Sequence, residues 1–370
     1  MIKTNTFILL KFIIKIFMNL ILHKYKFKEK MENQMKKIAF ITGSSGFIGF
    51  HLSMFFLSND WEVVGLDALT DYYDVNLKKA RQQLLCENSN FHSYEGFIQD
   101  VKLLNEIFLN YKPNIVVHLA AQAGVRYSIE NPMSYVESNL IGTFHVLEIA
   151  RKYKPEHLLM ASTSSAYGSN KDYPLHENQK INTPMSFYAA TKISNEAMAH
   201  SYSHLYEIPI TMFRFFTVYG PWGRPDMALF KFTKNILLDK PIDVYNSGNM
   251  QRDFTYVADL VKAIFLLTLK KPTKIHERNK IIKNDSISAV APFRVVNIGN
   301  SNPINLLDFI KELENILGKD AKKNFLTMQD GDIEKTHSNT SLLRTLTGFE
   351  PKTNIREGIS HFIKWYQSYY

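Results

Sequence analysis

Short apolar runs alternate with amphipathic segments over most of the chain. The runs rich in β-branched or aromatic residues are KIAFIT (37–42), EVVGL (62–66), NIVVHL (114–119), HLLMA (157–161), ITMFRF (210–215) and RVVNI (294–298). Such runs are typical of buried parallel strands, and the helical pattern appears between them at 47–57, 139–153, 188–206, 258–269 and 306–317. This alternation predicts an α/β fold, a doubly wound parallel sheet of the Rossmann type, with a smaller C-terminal lobe. Two stretches, 221–251 and 270–292, interrupt the pattern and are expected to be irregular, the second as a surface loop.

Composition places the chain among globular proteins and limits the kinds of partner and metal site that it can have. With 370 residues, 45% hydrophobic and 21% charged, it can bury a sizeable core. Residues 1–37 hold nine lysines and two glutamates, which account for +7 of the formal net charge of +9. The remaining body is nearly neutral, so a nucleic-acid partner loses its main support. The single cysteine, Cys86, excludes an intramolecular disulfide and a multi-cysteine metal site, and we expect it to be a small core residue.

The N-terminal extension, residues 1–35, leaves three interpretations open. Residues 7–22 read FILLKFIIKIFMNLIL, in which lysines and an asparagine recur every four positions. A bilayer span needs about 20 apolar residues, so a weak interfacial anchor is one interpretation and a disordered tail is another. The third is an annotated start that is too early, because Met31 and Met35 both precede the first strand. A signal peptide fits poorly, since lysines interrupt the apolar stretch.

A glycine-rich turn follows the first predicted strand and opens the first predicted helix. It contains Gly43, Gly46, Phe47, Ile48 and Gly49. Glycine lets the backbone approach a pyrophosphate closely, while the helix N-terminus offers free N–H groups. Asp67 ends the second strand, where a carboxylate accepts hydrogen bonds from ribose hydroxyls and disfavours a 2′-phosphate, so NAD is favoured over NADP. Asp100 is a candidate adenine contact, with a helix-capping acid as the alternative.

Tyr188 and Lys192 are four residues apart on a predicted helix and therefore share one face. A free tyrosine has a pKa near ~10, which a neighbouring ammonium and an oxidised nicotinamide ring would both lower. Upstream, a predicted strand ends in Ser162, Thr163, Ser164 and Ser165. Hydroxyls at the carboxyl end of a strand lie where open α/β sheets bind ligands. The pattern indicates a general base in a hydroxyl-lined site, although a Tyr-x-x-x-Lys pair alone is commonly a surface pair.

With these motifs, the chain resembles an extended short-chain dehydrogenase/reductase of the nucleotide-sugar epimerase group. The matching segments are GSSGFIG (43–49), HLAAQAGVRYS (118–128), STSSAYG (162–168), YAATK (188–192), RFFTVYGPWGRPDMA (214–228) and RDFTYVADL (252–260). The segments DYYDVNLKKAR (71–81) and MQDGDIEKTHSNTSLL (328–343) are similar to those of UDP-glucuronate 4-epimerases. Related 4,6-dehydratases and decarboxylases carry carboxylic residues where this chain has Ser164 and Ser165, which favours plain epimerisation.

The resemblance implies a transient oxidation at C4 of the sugar with bound NAD, followed by reduction on the opposite face. Tyr188, Lys192, Thr163 and Ser165 would be the catalytic residues. The implied cofactor contacts are Gly43, Gly46, Phe47, Ile48, Gly49, Asp67, Asp100, Leu119, Ala120, Ala121, Ser162, Tyr188, Lys192 and Phe215. The implied substrate contacts are Thr163, Ser164, Ser165, Arg126, Thr217, Arg224, Lys231, Tyr245, Arg252, Gln329 and Asp332. Of these, Thr217, Ser164, Thr163 and Arg126 are expected at the uronate carboxylate, and Arg224 and Arg252 at the diphosphate.

The same resemblance predicts the organisation of the chain and its partners. Residues 36–215 with 254–300 would form the NAD-binding domain, and 216–253 with 301–370 the UDP-sugar-binding lobe. We expect a cytoplasmic homodimer that supplies capsule or lipopolysaccharide precursors and contacts a membrane only through residues 7–22. Two alternatives stay open: an epimerase of another UDP-sugar, and a non-catalytic NAD-binding protein. Gln329 stands where galactose-type relatives have an arginine, which weakens a galactose assignment.

Overall fold

The computed structural model describes residues 36–274 and 282–370 and contains a seven-stranded parallel sheet in the order β10-β6-β5-β4-β1-β2-β3. The strands of the described chain are β1 (Ile38–Thr42), β2 (Glu62–Asp67), β3 (Phe91–Glu95), β4 (Ile115–His118), β5 (His157–Ala161), β6 (Ile210–Phe215), β7 (Thr217–Tyr219), β8 (Ile242–Val244), β9 (Gln251–Tyr256), β10 (Phe293–Ile298), β11 (Pro303–Asn305) and β12 (Lys323–Phe325). In the central sheet, Phe40 pairs with Val64 on one side and with Val116 on the other. All three side chains are buried, as expected for strands covered on both faces.

Helices cover both faces of this sheet. They are α1 (Phe47–Leu57), α2 (Val75–Cys86), α3 (Val101–Tyr111), α4 (Tyr127–Glu130), α5 (Pro132–Tyr135), α6 (Gly142–Tyr153), α7 (Phe187–Tyr206), α8 (Ala228–Leu237), α9 (Val257–Thr268), α10 (Leu306–Leu317), α11 (Ser341–Thr347) and α12 (Ile355–Tyr369). A π-helical turn, Val136–Ile141, leads directly into α6. One apolar cluster packs α1, α9 and α11 against the sheet, and another packs α3, α6 and α7 against the opposite face. The predicted doubly wound fold is confirmed.

A third apolar cluster lies beside the small strands β7, β8 and β9 and the helices α8, α10 and α12. There Phe254 stacks on Phe309 with ring centroids 4.6 Å apart and an interplanar angle of 7°. Ile38–Tyr370 forms one compact unit, so the boundary between the two predicted lobes stays a prediction.

Two expectations about local structure were wrong. The stretch 221–251 is not irregular throughout, because it contains α8 and β8. Helix α8 forms because its apolar residues recur on one face, which buries Leu229, Phe232 and Ile236. Cys86 is not a core residue, since it is exposed at the last position of α2.

The predicted extension 1–35, with its candidate anchor at 7–22, lies outside the described residues. The stretch 270–292 is described except for residues 275–281, and its described parts contain no helix or strand. Among the described residues, no helix combines the length and apolar character needed to span a bilayer.

Replacing Phe309 by alanine tests the third cluster. Phe309 is fully buried and stacks on Phe254, so Phe309→Ala is expected to destabilise the protein by about 3–5 kcal/mol. Phe325→Ala is the matched control, because that ring is 53% exposed, and its effect should stay within about 0.5 kcal/mol. Urea unfolding measures both, and equal losses would contradict the assigned packing.

Candidate active site

The glycine turn between β1 and α1 is built by close backbone packing. Gly43 has a φ of +73° and donates its N–H to the carbonyl oxygen of Leu66 at 2.7 Å. A Cβ on Gly49 would lie 2.0 Å from the carbonyl oxygen of Gly43, and one on Gly43 would lie 2.9 Å from the nitrogen of Ala120. Only glycine fits these positions, so the N-terminus of α1 stays open to a ligand.

Asp67 lies beside this turn at the end of β2. Its carboxylate accepts hydrogen bonds from the N–H groups of Ser45, at 3.0 Å, and Leu69, at 2.9 Å. Two other polar atoms in this region, Ser45 Oγ and Gln99 Oε1, are buried and have no hydrogen-bond partner. Such atoms normally find a partner, so this end of the site is suited to a polar ligand.

Asp100 lies elsewhere. It caps α3 by accepting hydrogen bonds from the N–H groups of Lys102 and Leu103, and it is exposed. Its position agrees with the alternative interpretation, a helix-capping acid. The neighbouring residues Ile98 and Gln99 line the site instead.

One cleft of about 460 Å³ runs along the carboxyl edge of the sheet. Its lining includes the predicted residues Gly43, Gly46, Phe47, Ile48, Gly49, Asp67, Leu119, Ala120, Ala121, Ser162, Thr163, Ser164, Ser165, Tyr188, Lys192, Phe215, Thr217 and Arg224. The cleft opens where β1 and β4 lie side by side, because the chain leaves these strands in opposite directions there. This is the position at which open α/β sheets bind ligands.

The helix α7 meets the end of β5 through Tyr188 and Lys192. Lys192 is buried, and its Nζ donates a 3.0 Å hydrogen bond to the carbonyl oxygen of Ala161. Thr163 caps the turn Ser164–Tyr167 by accepting from the N–H of Ser165 at 3.1 Å, and its side chain interacts with the phenol of Tyr188. A phenol, an ammonium and three hydroxyls therefore face one space.

Burial dominates the electrostatics of this group. It raises the pKa of Tyr188 above its ordinary value, while the hydrogen bond with Thr163 and the charge of Arg224 lower it. Burial lowers the pKa of Lys192 to about 8, and the Glu196 carboxylate opposes that shift. His118, hydrogen-bonded to Thr42, is kept neutral by burial, with a pKa of about 3. The site thus holds an ammonium close to its titration range near a phenol.

Arg224 enters the cleft from the loop after β7. Its guanidinium pairs with Asp226, which also accepts a 3.2 Å hydrogen bond from the hydroxyl of Tyr72. Thr217, at the start of β7, lines the same part of the cleft. A cation and a hydroxyl therefore stand near Tyr188, where an anionic group of a ligand would be stabilised.

Four of the remaining predicted substrate residues gather in a second group outside the cleft lining. Arg126 pairs with Asp332 at 3.1 Å and stacks over the ring of Tyr245 at 4.7 Å. Arg252 donates to the carbonyl oxygens of Gln251 and Glu334, and the charge of Asp332 acts on it. A tyrosine ring beneath one arginine, with a second arginine near Asp332, is suited to a base and its phosphates.

Gln329 and Lys231 complete the predicted set. Gln329 lies three residues before Asp332, and its Oε1 is buried with no hydrogen-bond partner. Lys231 is exposed on α8 and does not line the cleft, as expected for a solvated helix lysine.

Sequence reasoning missed several residues that line or support the cleft. Lys78 lines it and donates to Thr70 Oγ1 at 3.0 Å. Arg81 is fully buried and bonds the carbonyl oxygens of Ser45 and Trp222. The three-residue spacing of Lys78 and Arg81 on α2 places both on one face, and this was the available signal.

The glycine turn, the acid after β2 and the Tyr-Lys pair facing strand-end hydroxyls define a short-chain dehydrogenase/reductase. Residues 40–362 match the family described as GDP-mannose 4,6 dehydratase. The chain belongs to this family and, within it, to the nucleotide-sugar epimerase group.

Its relatives include two named epimerases. A probable UDP-glucuronate 4-epimerase of Rhizobium meliloti is 47% identical over 89% of this chain and 97% of its own length. UDP-glucuronate 4-epimerase 4 of Arabidopsis thaliana is 44% identical over 89% of this chain and 75% of its own length. The crystal structure of UDP-glucuronic acid 4-epimerase from Bacillus cereus, in complex with UDP-glucuronic acid and NAD, has a TM-score of 0.80 and 33% identity, and it covers 90% of this chain and 100% of the other.

Proposed function

We propose that the protein is a UDP-glucuronate 4-epimerase, which interconverts UDP-glucuronate and UDP-galacturonate with NAD as cofactor. The observation that carries this assignment is the hydroxyl group Thr163, Ser164 and Ser165 facing Tyr188, with serines at the two positions where dehydratases carry acids. Relatives at 44–47% identity bear the same activity in their names, although the matching family is named for a dehydratase.

The residues of the cleft fit NAD. The tight turn at Gly43 and Gly49 leaves the N-terminus of α1 clear for a pyrophosphate, and Asp67 stands where a ribose hydroxyl would donate to it. Leu119, Ala120, Ala121 and Phe215 supply apolar walls. When bound, NAD supplies reversible hydride exchange at C4 of the sugar.

The catalytic roles follow from the chemistry of the facing side chains. Tyr188, as phenolate, accepts the proton of the sugar 4-hydroxyl, and Thr163 and Ser165 hydrogen-bond that oxygen or relay its proton. Lys192 holds the cofactor ribose and favours the phenolate through its charge. The 4-keto sugar turns over within the cleft, and Tyr188 returns the proton after C4 is reduced on its other face.

The 4-keto uronate is a β-keto acid, which loses CO₂ readily when its carboxylate stands perpendicular to the carbonyl plane. Thr217, Ser164 and Thr163 are the residues proposed to hold that carboxylate near the plane. All three line the cleft, and a set of hydroxyls holds a carboxylate without supplying an acid. Arg126, expected from the sequence at the same carboxylate, does not line the cleft and pairs with Asp332 instead.

The UDP end is assigned to a lobe formed by residues 216–253 with 301–370. Arg224 and Arg252 are proposed diphosphate ligands, and Tyr245, beneath Arg126, flanks the uracil. Asp332 and Gln329 complete the nucleotide contacts, and Gln329 Oε1 is free to accept a hydrogen bond. Lys231, exposed on α8, is the outermost candidate.

Product analysis tests this function. Purified protein incubated with UDP-glucuronate is expected to form UDP-galacturonate, seen by NMR, without CO₂ release or net NADH formation. Tyr188→Phe should lower kcat at least ~10²-fold because the general base is lost. UDP-glucose serves as the substrate control. Release of CO₂, preference for UDP-glucose, or full activity of the phenylalanine variant would each contradict the assignment.

Gly49→Ala tests the cofactor site. Its new Cβ would lie 2.0 Å from the carbonyl oxygen of Gly43, so we expect the turn to open and the NAD affinity, measured by calorimetry, to fall at least ~10-fold. Gly318→Ala is the control. A Cβ at this position meets nothing within 4 Å, and its positive φ gives the control a backbone strain of its own, so it separates general strain from the steric clash in the turn. Equal NAD affinity in the two variants would contradict the assigned turn.

We also propose a homodimer formed through α6 and α7. Ile141 and Phe144 are apolar, 42% and 43% exposed, and lie one turn apart beside the start of α6, while Phe187 begins α7 with 40% exposure. Light scattering is expected to give twice the chain mass for the native protein. Phe144→Glu should give the monomer mass, whereas Leu109→Glu, at a 61% exposed position on α3, should leave the dimer intact.

A further inference from the structure

Three residues of α7 contact three consecutive residues at the end of β5. Lys192 donates to the carbonyl oxygen of Ala161, Glu196 accepts a 2.5 Å hydrogen bond from Ser162 Oγ, and the phenol of Tyr188 interacts with the side chain of Thr163. The position of Glu196, four residues after Lys192 and eight after Tyr188, keeps it on the same helix face. It is 6% exposed, behind the cleft and out of reach of a ligand.

Both carboxylate oxygens of Glu196 accept hydrogen bonds from other side chains. Arg214 on β6 binds it through two hydrogen bonds, from Nε to Oε1 at 3.0 Å and from Nη2 to Oε2 at 2.8 Å. Arg214 is itself 3% exposed and donates its Nη1 to the carbonyl oxygen of Glu177 at 3.1 Å. A buried ion pair adds little net stability compared with apolar packing. The role of the Glu196–Arg214 pair is therefore sought in what it holds in place.

We infer that Glu196 is a positioning residue of this active site: its buried carboxylate holds Ser162, and with it the neighbouring Thr163, against α7, and places a negative charge one helical turn from Lys192. The inference rests on the proposed function, because it assigns Tyr188 and Lys192 their roles. Glu196 touches neither ligand and acts only through Ser162 and Lys192.

The charges that face Lys192 support this role. On its own helix stands Glu196, which raises the pKa of the ammonium against the effect of burial. From β4 comes His118, which burial keeps neutral. From β6 comes Arg214, whose charge is paired with Glu196. Arg224 faces Tyr188 from the loop after β7.

The pH profile of Glu196→Gln tests the inference. Activity needs charged Lys192 and so falls as the pH rises through the pKa of this residue. Removing the negative charge lowers that pKa further, so the alkaline limb of kcat should move to lower pH by about one unit or more. At pH values above the limb, kcat should fall ~10-fold or more while KM for UDP-glucuronate stays within about twofold.

Asp285→Asn provides the matched control. Asp285 and Arg294 form another buried bidentate pair, both 8% exposed, with two contacts of 3.0 Å, and Arg294 lies on the neighbouring strand β10. Breaking this pair costs stability in the same way, but Asp285 is not among the charges acting on Lys192. The alkaline limb of Asp285→Asn should therefore coincide with that of the native enzyme.

A double variant tests the inference in case Glu196→Gln alone folds poorly. Glu196→Gln with Arg214→Met removes both buried charges, which restores stability, and its alkaline limb should still lie below the native one. An unchanged limb in this variant, or an equal shift in Asp285→Asn, would overturn the inference. If native enzyme fails to epimerise UDP-glucuronate, the proposed function fails instead, so the two failures are distinguishable.

Discussion

The reversal of strand order between β1 and β4 is the constraint on which the site depends. Connections leave the two strands toward opposite sides of the sheet, so a crevice opens between them at the carboxyl edge. The glycine turn after β1, the segment Leu119–Ala121 after β4 and the hydroxyl loop after β5 all end at this edge. Residues more than a hundred positions apart, such as those of the glycine turn and of the hydroxyl loop, therefore meet at one edge of the sheet.

Desolvation then sets the chemistry of that edge. Burial makes the phenol of Tyr188 hold its proton more tightly and the ammonium of Lys192 hold its proton more loosely, so the pKa values of the two groups move apart. The phenolate form of Tyr188 therefore depends on the hydroxyl of Thr163 and the charge of Arg224, which oppose the effect of burial. Neutral hydroxyls around the pair add hydrogen bonds without adding a competing acid.

Much of this arrangement could be predicted from the sequence. Strands β5 and β6 and helix α10 have the predicted bounds. In strongly apolar or strongly periodic segments, the local sequence is enough to predict the secondary structure. Helices α2 and α3 were not predicted. For α2 the reason is that it buries Lys78 and Arg81 on its inner face, which hides the apolar periodicity. Contacts such as that of Glu196 on α7 with Arg214 on β6 depend on which helix packs against which strand, and no local pattern contains this information. The same is true of Asp100, where a cap and a ligand contact share one sequence signal.

Arg81 joins two parts of the protein that are far apart in sequence. Its guanidinium binds the carbonyl oxygen of Ser45 in the glycine turn at 3.0 Å and that of Trp222, two residues before Arg224, at 2.7 Å. The loop that carries Arg224 is thereby braced against the dinucleotide half of the molecule. A 220–228 loop transplanted into a relative without the arginine of α2 would therefore lose this brace.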